Sequence, residues 1–227
     1  METQKQQTKQ WLGFLMAFTG GCLWGFSGAC SQFLFTYKNL TSDWLVPWRL
    51  MIDGTLMVVI LILRKGREAF AIWRNPRHVR LLILFGLLGI SGCQYSYLTS
   101  IQYSNAGTAT VLQYLGPALI MLYMCIRTRR APRPVEIIVL LLDLTGIFLI
   151  ATHGSFHSLA LSSQALFWGL LGAVFVAIYT VSPVTLLANY DSFAVVGWGM
   201  FVGGIAVMLW QQPWRTPVVL DGEAIFF

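Results

Sequence analysis

The sequence predicts an all-α membrane protein, a polytopic helical bundle, on three observations. Of its 227 residues 56% are hydrophobic, only 11% are charged, and charge-free runs long enough to span a bilayer recur along the chain. Soluble domains carry about 25% charged residues. A helix needs about twenty apolar residues to cross the roughly 30 Å of bilayer hydrocarbon. A mean hydropathy of +0.67 agrees, so the lipid bilayer is the expected surrounding of most side chains. The formal net charge of +6 would suit nucleic acid if the cations formed one surface. They fall instead in short clusters between apolar runs, so no nucleic-acid partner is expected.

Seven segments qualify as spans: 11–35, 44–63, 81–102, 106–126, 135–152, 163–187 and 193–211. The first follows a polar tail at residues 1–10. It is too long for the core of a cleaved signal and lacks a clear small-residue exit site, so it is expected to remain as a helix. Its Ala17, Gly21, Gly25 and Ala29 recur at every fourth position and offer a groove for close helix packing. In the second span Arg49 and Asp53 stand at i and i+4, on one face, where they can pair. Ionisable groups at membrane depth are costly. Either the two neutralise each other and lock helix packing, or Arg49 faces a cavity and attracts an anionic group while Asp53 tunes it or relays a proton.

The third span sets Ser91, Tyr95, Thr99 and Gln102 on one face. After the turn residues Ser104-Asn105-Ala106-Gly107, the fourth aligns Thr110, Gln113, Tyr114, Pro117 and Met121. Two adjacent polar stripes imply a surface that lipid would not tolerate. They either line a polar cavity or hydrogen-bond helix to helix at about 0.6 kcal/mol each. Pro117 removes a backbone donor in mid-span and is an expected hinge. The fifth span is the shortest and holds Asp143, a candidate proton relay or a partner for Arg49. The sixth repeats the small-residue ladder as Ala165, Gly169, Ala173 and Ala177, and Pro183 is its hinge candidate. Trp24 and Ser27 on the first span, with Trp168 and Tyr179 on the sixth, would wall an amphipathic solute or pack against neighbours. Beyond the seventh span, Asp221–Phe227 turns apolar and reads as the opening of an eighth helix.

The two ladders are 148 residues apart, and Trp198 and Gly204 follow Trp48 and Gly54 by 150. Such offsets imply a unit of five helices. An odd number of crossings reverses direction, so the second unit would lie inverted. Residues 11–152 would be the first unit and 153–227 an incomplete second. Basic residues retained on the cytoplasmic side set orientation. An N-terminus inside places twelve of the fifteen Lys and Arg there, in clusters at 5–9, 64–80 and 127–133, and leaves only Lys38 and Arg215 outside. Trp11, Trp44, Trp210 and Trp214 mark span ends, as amphipathic rings do.

Cys22, Cys30, Cys93 and Cys125 all lie in apolar runs and read as small hydrophobes. His153 and His157 have the spacing of a helical metal pair, but their segment reads as a loop, so no metal site and no cofactor are expected. No nucleophile, base or carboxylate cluster stands at one depth, so no enzyme is expected.

Several features together resemble the EamA-type branch of the drug/metabolite transporter superfamily. They are Leu23-Trp24-Gly25, Pro47-Trp48-Arg49, the run from Gly86 through Tyr95, Tyr97 and Leu98 to Ala109, Leu115-Gly116-Pro117, and Gly146-Ile147-Phe148-Leu149. The resemblance covers 11–152 well and the rest loosely. It implies a ten-helix fold of inverted halves around a central cavity, in a bacterial inner membrane, with both termini cytoplasmic. The acidic residue that often ends the fourth span is replaced here by Arg127-Thr128-Arg129-Arg130. The function it implies is secondary transport, as an exporter or exchanger, of a small metabolite or amino-acid-like solute by alternating access. The alternative is a non-transporting partner subunit or inactive half-transporter, and a homo-oligomer is compatible with either.

Overall fold

The structure is a computed structural model that describes residues 2–152 and 161–216, all helical or turn with no strand among them. The expected pair His153 and His157 and the apolar end 221–227 lie outside the described residues. Six helical stretches among the described residues are long and apolar enough to cross a membrane: Trp11–Tyr37, Ser42–Arg74, Pro76–Tyr103, Ala106–Thr128, Ser163–Leu187 and Ser192–Arg215. The remaining expected span, 135–152, forms the helix α7 (Pro134–Thr152) and is not one of the six.

Helix α1 (Glu2–Tyr37) is unbroken over 36 residues. The polar tail expected at 1–10 is therefore helical from Glu2, as suits its good helix formers Gln, Lys and Glu. A turn with Asn39 in the left-handed region leads into α2 (Ser42–Lys65), which ends where Gly66 adopts φ 53°. The connector that follows is a 3₁₀ helix, Gly66–Arg74. Asn75 then caps α3 (Pro76–Leu84) by accepting from the Arg77 N–H. That helix widens into a π-helical turn, Phe85–Ser91, before continuing as α4 (Gly92–Tyr103). Ser91 Oγ donates to the Gly86 carbonyl at 2.9 Å, supplying a donor where the wider turn disturbs the regular i→i−4 pattern.

Asn105 caps α5 (Ala106–Gln113), and a break at Tyr114 separates it from α6 (Leu115–Thr128). The break lies one residue past Gln113, whose carbonyl would have bonded the N–H that Pro117 lacks. Helix α8 (Ser163–Val181) likewise stops before Pro183, and α9 (Val184–Leu187) completes that span. Asp191 then caps α10 (Ser192–Gln211). Both expected hinge prolines thus coincide with interruptions of their helices.

Two seams organise the bundle. Helix α10 runs antiparallel to α2 at backbone contact: a Cβ on Gly54 would stand 2.5 Å from the Phe201 nitrogen, and one on Gly204 would stand 3.0 Å from the Leu50 carbon. The seating is reciprocal, since Gly204, Phe201 and Met200 follow Gly54, Met51 and Leu50 by the same 150 residues. Gly86 and Gly203 bring the π turn equally close to α10. Helix α8 lies antiparallel to α4, where Ser100 Oγ donates to the Ala165 carbonyl, and parallel to α5 and α6, where Gly169 faces Leu112. The buried core, with Leu50, Leu61, Phe85, Leu98 and Val195, follows the first seam.

Candidate functional site

A cavity of about 580 Å³ opens between α1, the π turn with α4, the α5–α6 break, α8 and α10. That volume is within the roughly 300–1,000 Å³ of small-molecule sites. Gly20, Gly21, Trp24 and Gly25 face it from α1, and Ile90, Cys93 and Gln94 from the π turn and α4. Thr110, Gln113, Tyr114 and Pro117 line it at the α5–α6 break, Val176, Tyr179 and Thr180 on α8, and Val196 and Met200 on α10. Trp24, Ile90, Pro117 and Val176 lie near the middle of their spans, and Val196 and Met200 in the first half of theirs.

The lining is apolar with a few placed polar groups and no formal charge. Gln113 is 8% exposed, and its Nε2 donates to Cys93 Sγ at 3.3 Å, which leaves its carbonyl oxygen free of a described donor. Thr110 Oγ1 bonds Tyr97 OH at 3.0 Å, and the Tyr97 ring meets Trp24 edge-on at 6.0 Å. Those contacts fix the inner face of the Trp24 indole, although the residue is 51% exposed. The glycines of α1 matter here because side chains at Gly21 or Gly25 would occupy the cavity.

Of the site residues expected from sequence, the structure gathers Trp24, Gln113, Tyr114 and Tyr179, with Pro117, around this space. Ser27, Arg49, Ser91, Tyr95 and Thr99 are not in its lining. The third-span stripe instead turns toward the start of α2: Tyr95 OH donates to Asp43 at 2.5 Å, Thr99 to Ser42 Oγ at 3.0 Å, and Gln102 accepts from the Ser42 N–H at 2.8 Å. Tyr95, Thr99 and Gln102 thus bond helix to helix and Ser91 bonds within its own π turn, while Thr110, Gln113, Tyr114 and Pro117 of the fourth span line the cavity. Arg49 and Asp53 stand 4.0 Å apart on α2, 28% and 46% exposed. Asp143 sits on α7 and makes no ion pair with Arg49.

Reading the sequence missed Gln94 and Cys93. The available signal was that Gln94 is the amide beside Tyr95, about 100° around the helix from the stripe. It makes no hydrogen bond to a described residue and so is open to the cavity.

Side-chain ties lie near the two opposite ends of α2. At one end Tyr95 donates to Asp43, and its ring meets Trp168 edge-on at 5.4 Å and Trp210 at a tilt at 5.6 Å. At the other, Lys65 Nζ meets Asp191 Oδ2 at 2.8 Å and His78 Nδ1 meets Tyr190 OH at 2.8 Å. The Lys65 ammonium and the Phe193 N–H hold the Asp191 carboxyl below its ordinary pKa. Asp43 and Lys65 lie at opposite ends of α2, about 33 Å apart at 1.5 Å per residue.

The model of the EamA-like transporter family matches residues 11–152. The chain is 35% identical over 213 residues to a protein of Salmonella typhimurium (strain LT2) described as the uncharacterized inner membrane transporter YicL, covering 94% of this chain and 71% of that relative. No solved structure gives a significant match.

Proposed function

The chain belongs to the EamA-like transporter family, and on that premise we propose that it carries a small, uncharged or zwitterionic amphipathic solute across the inner membrane by alternating access. The observation that carries this reading is the cavity, whose lining combines aromatic walls with amides and hydroxyls and holds no fixed charge. Gln113, Gln94 and Tyr114 would bond the polar part of the solute, and Trp24 and Tyr179 would cover its apolar part. Export or exchange of a metabolite of amino-acid size fits the volume. The clusters of cations at 64–80 and 127–133 support a cytoplasmic N-terminus.

Alternating access is supported by the ties near the two ends of α2. Releasing the Tyr95–Asp43 clasp with its tryptophans would open one face, and releasing the Lys65–Asp191 and His78–Tyr190 ties would open the other. The breaks at Tyr114 and before Pro183 are the hinges of this proposal. The reciprocal seating of Gly54 and Gly204 supports reading residues 11–152 as one five-helix unit and the remainder as part of an inverted second.

The test is flux in proteoliposomes holding the purified chain, measured with a panel of labelled neutral, zwitterionic and anionic metabolites. Uptake of a neutral or zwitterionic solute that falls in Gln113→Ala supports the reading. A preference for anions, with no effect of Gln113→Ala, would sink it. A second reading, a non-transporting partner subunit, draws on the open glycine face of α1. Absence of flux together with a specific cross-link to another membrane protein would favour it.

A further inference from the structure

The connector between α2 and α3 is more than a loop. A 3₁₀ helix has three residues per turn, so side chains three apart eclipse and form columns. In Gly66–Arg74 one column turns inward at Ala69 and Ile72, 3% and 1% exposed, while Gly66 at its start is exposed. A second column is Arg67, Phe70 and Trp73, with Phe70 44% and Trp73 37% exposed. The segment is clamped in place. Trp198 Nε1 donates to the Ala69 carbonyl at 2.9 Å, and the Phe70 and Trp73 rings lie 5.4 and 5.2 Å from the Trp198 ring. The result is a rigid, amphipathic helix fixed across one end of the bundle, with part of two large aromatic rings left uncovered.

Cations surround those rings. Arg64, Arg67, Arg74, Arg77 and Arg80 are all exposed, and none forms a salt bridge with a described residue. Glu68 is the one acid within residues 64–80. The other basic connector differs: Arg130 is held in two bonds by Glu136, at 2.8 and 2.9 Å, and Arg127 lies over Tyr123 and bonds its hydroxyl. Its charge is partly spent within the chain. Aromatic rings at headgroup level beside unspent arginines are complementary to a phosphate ester attached to an acyl chain.

We propose that the Gly66–Arg80 end of the bundle binds anionic phospholipid headgroups. Arg67, Arg74 and Arg77 take the phosphates, and Phe70 and Trp73 lie against the glycerol and upper acyl region. Arg67 and Arg74 are about 14 Å apart along the 3₁₀ axis at 2.0 Å per residue, so the surface holds more than one phosphate.

Native mass spectrometry of the purified full chain, mixed in detergent with phosphatidylglycerol, cardiolipin or phosphatidylcholine, tests this. Anionic lipid is expected to be retained over phosphatidylcholine, with affinity falling roughly fivefold for each arginine removed. The triple variant Arg67→Gln/Arg74→Gln/Arg77→Gln should lose the preference, and the control Arg127→Gln/Arg129→Gln/Arg133→Gln should keep it. If the first triple variant is not monodisperse, the single exposed change Arg74→Gln carries the same comparison. Equal loss in both variants, no preference among the lipids, or displacement of bound lipid by equimolar inorganic phosphate would each overturn the proposal.

Discussion

The glycines of the α2–α10 seam and those of α1 before Gly28 look alike in the sequence and behave oppositely in the fold. A Cβ on Gly54 or Gly204 would meet the backbone of the neighbouring helix at 2.5 or 3.0 Å, whereas Gly13, Gly20, Gly21 and Gly25 have nothing within 4 Å. Small residues let helices approach; they do not choose the partner. At the seam, reciprocal close contacts make the glycines structural. On α1 the same residue type keeps a cavity wall open.

Substituting at the two places should break the symmetry of the sequence most visibly. Gly54→Val would push a side chain into the α10 backbone and is expected to destabilise by about 3 kcal/mol, the upper end of overpacking costs. Gly13→Ala, in open space on a helix, is expected to stabilise by roughly 0.5–1 kcal/mol. Thermal unfolding in detergent measures both, and similar effects from the two would refute the contrast. Next in size is function. Gln113→Ala should lower flux about tenfold by removing a polar group inside a dry wall, whereas Arg49→Ala, outside the lining, should change it less than about threefold. Initial rates in proteoliposomes would reverse the assignment if Arg49 proved the more sensitive.

The ties sharpen the comparison between seam and cavity further. Tyr95→Phe removes the bond to Asp43 but keeps the ring between Trp168 and Trp210, so access of a thiol reagent to Cys93 from that end should rise severalfold, read by labelling rate. The smallest effect concerns pH. Asp191 has a lowered carboxyl pKa in the folded chain, so its tie to Lys65 contributes above the unfolded value of about 3.9 and is lost as pH falls through the folded value. An acid-side decline in stability that Asp191→Asn abolishes is the expected result; an unchanged decline would assign it to another group.

Much of the fold was legible because it is local. Charge-free runs, capping residues such as Asn75, Asn105 and Asp191, and helix-interrupting prolines at 117 and 183 act within a turn or two, so their consequences can be read along the chain. Of the two polar stripes, each open to cavity lining or helix-to-helix bonding in the sequence, the fourth-span one puts Gln113 and Tyr114 on the cavity. On the third span, Tyr95 and Thr99 found partners on α2, and the cavity took Cys93 and Gln94 from the same helix. The 3₁₀ helix at Gly66–Arg74 was not legible, because a three-residue period matches neither the 3.6 of an α-helix nor the 2.0 of a strand.

The sequence alone determined that this chain lives in a bilayer, roughly where its spans lie, and which residues are small enough for close approach. Only the tertiary structure decided which face of each helix meets a neighbour and which is left to line a void. The reason is physical: hydropathy and capping depend on neighbours in the chain, while a helix's rotation is fixed by backbone contact with segments more than a hundred residues away, as Gly54 with Phe201.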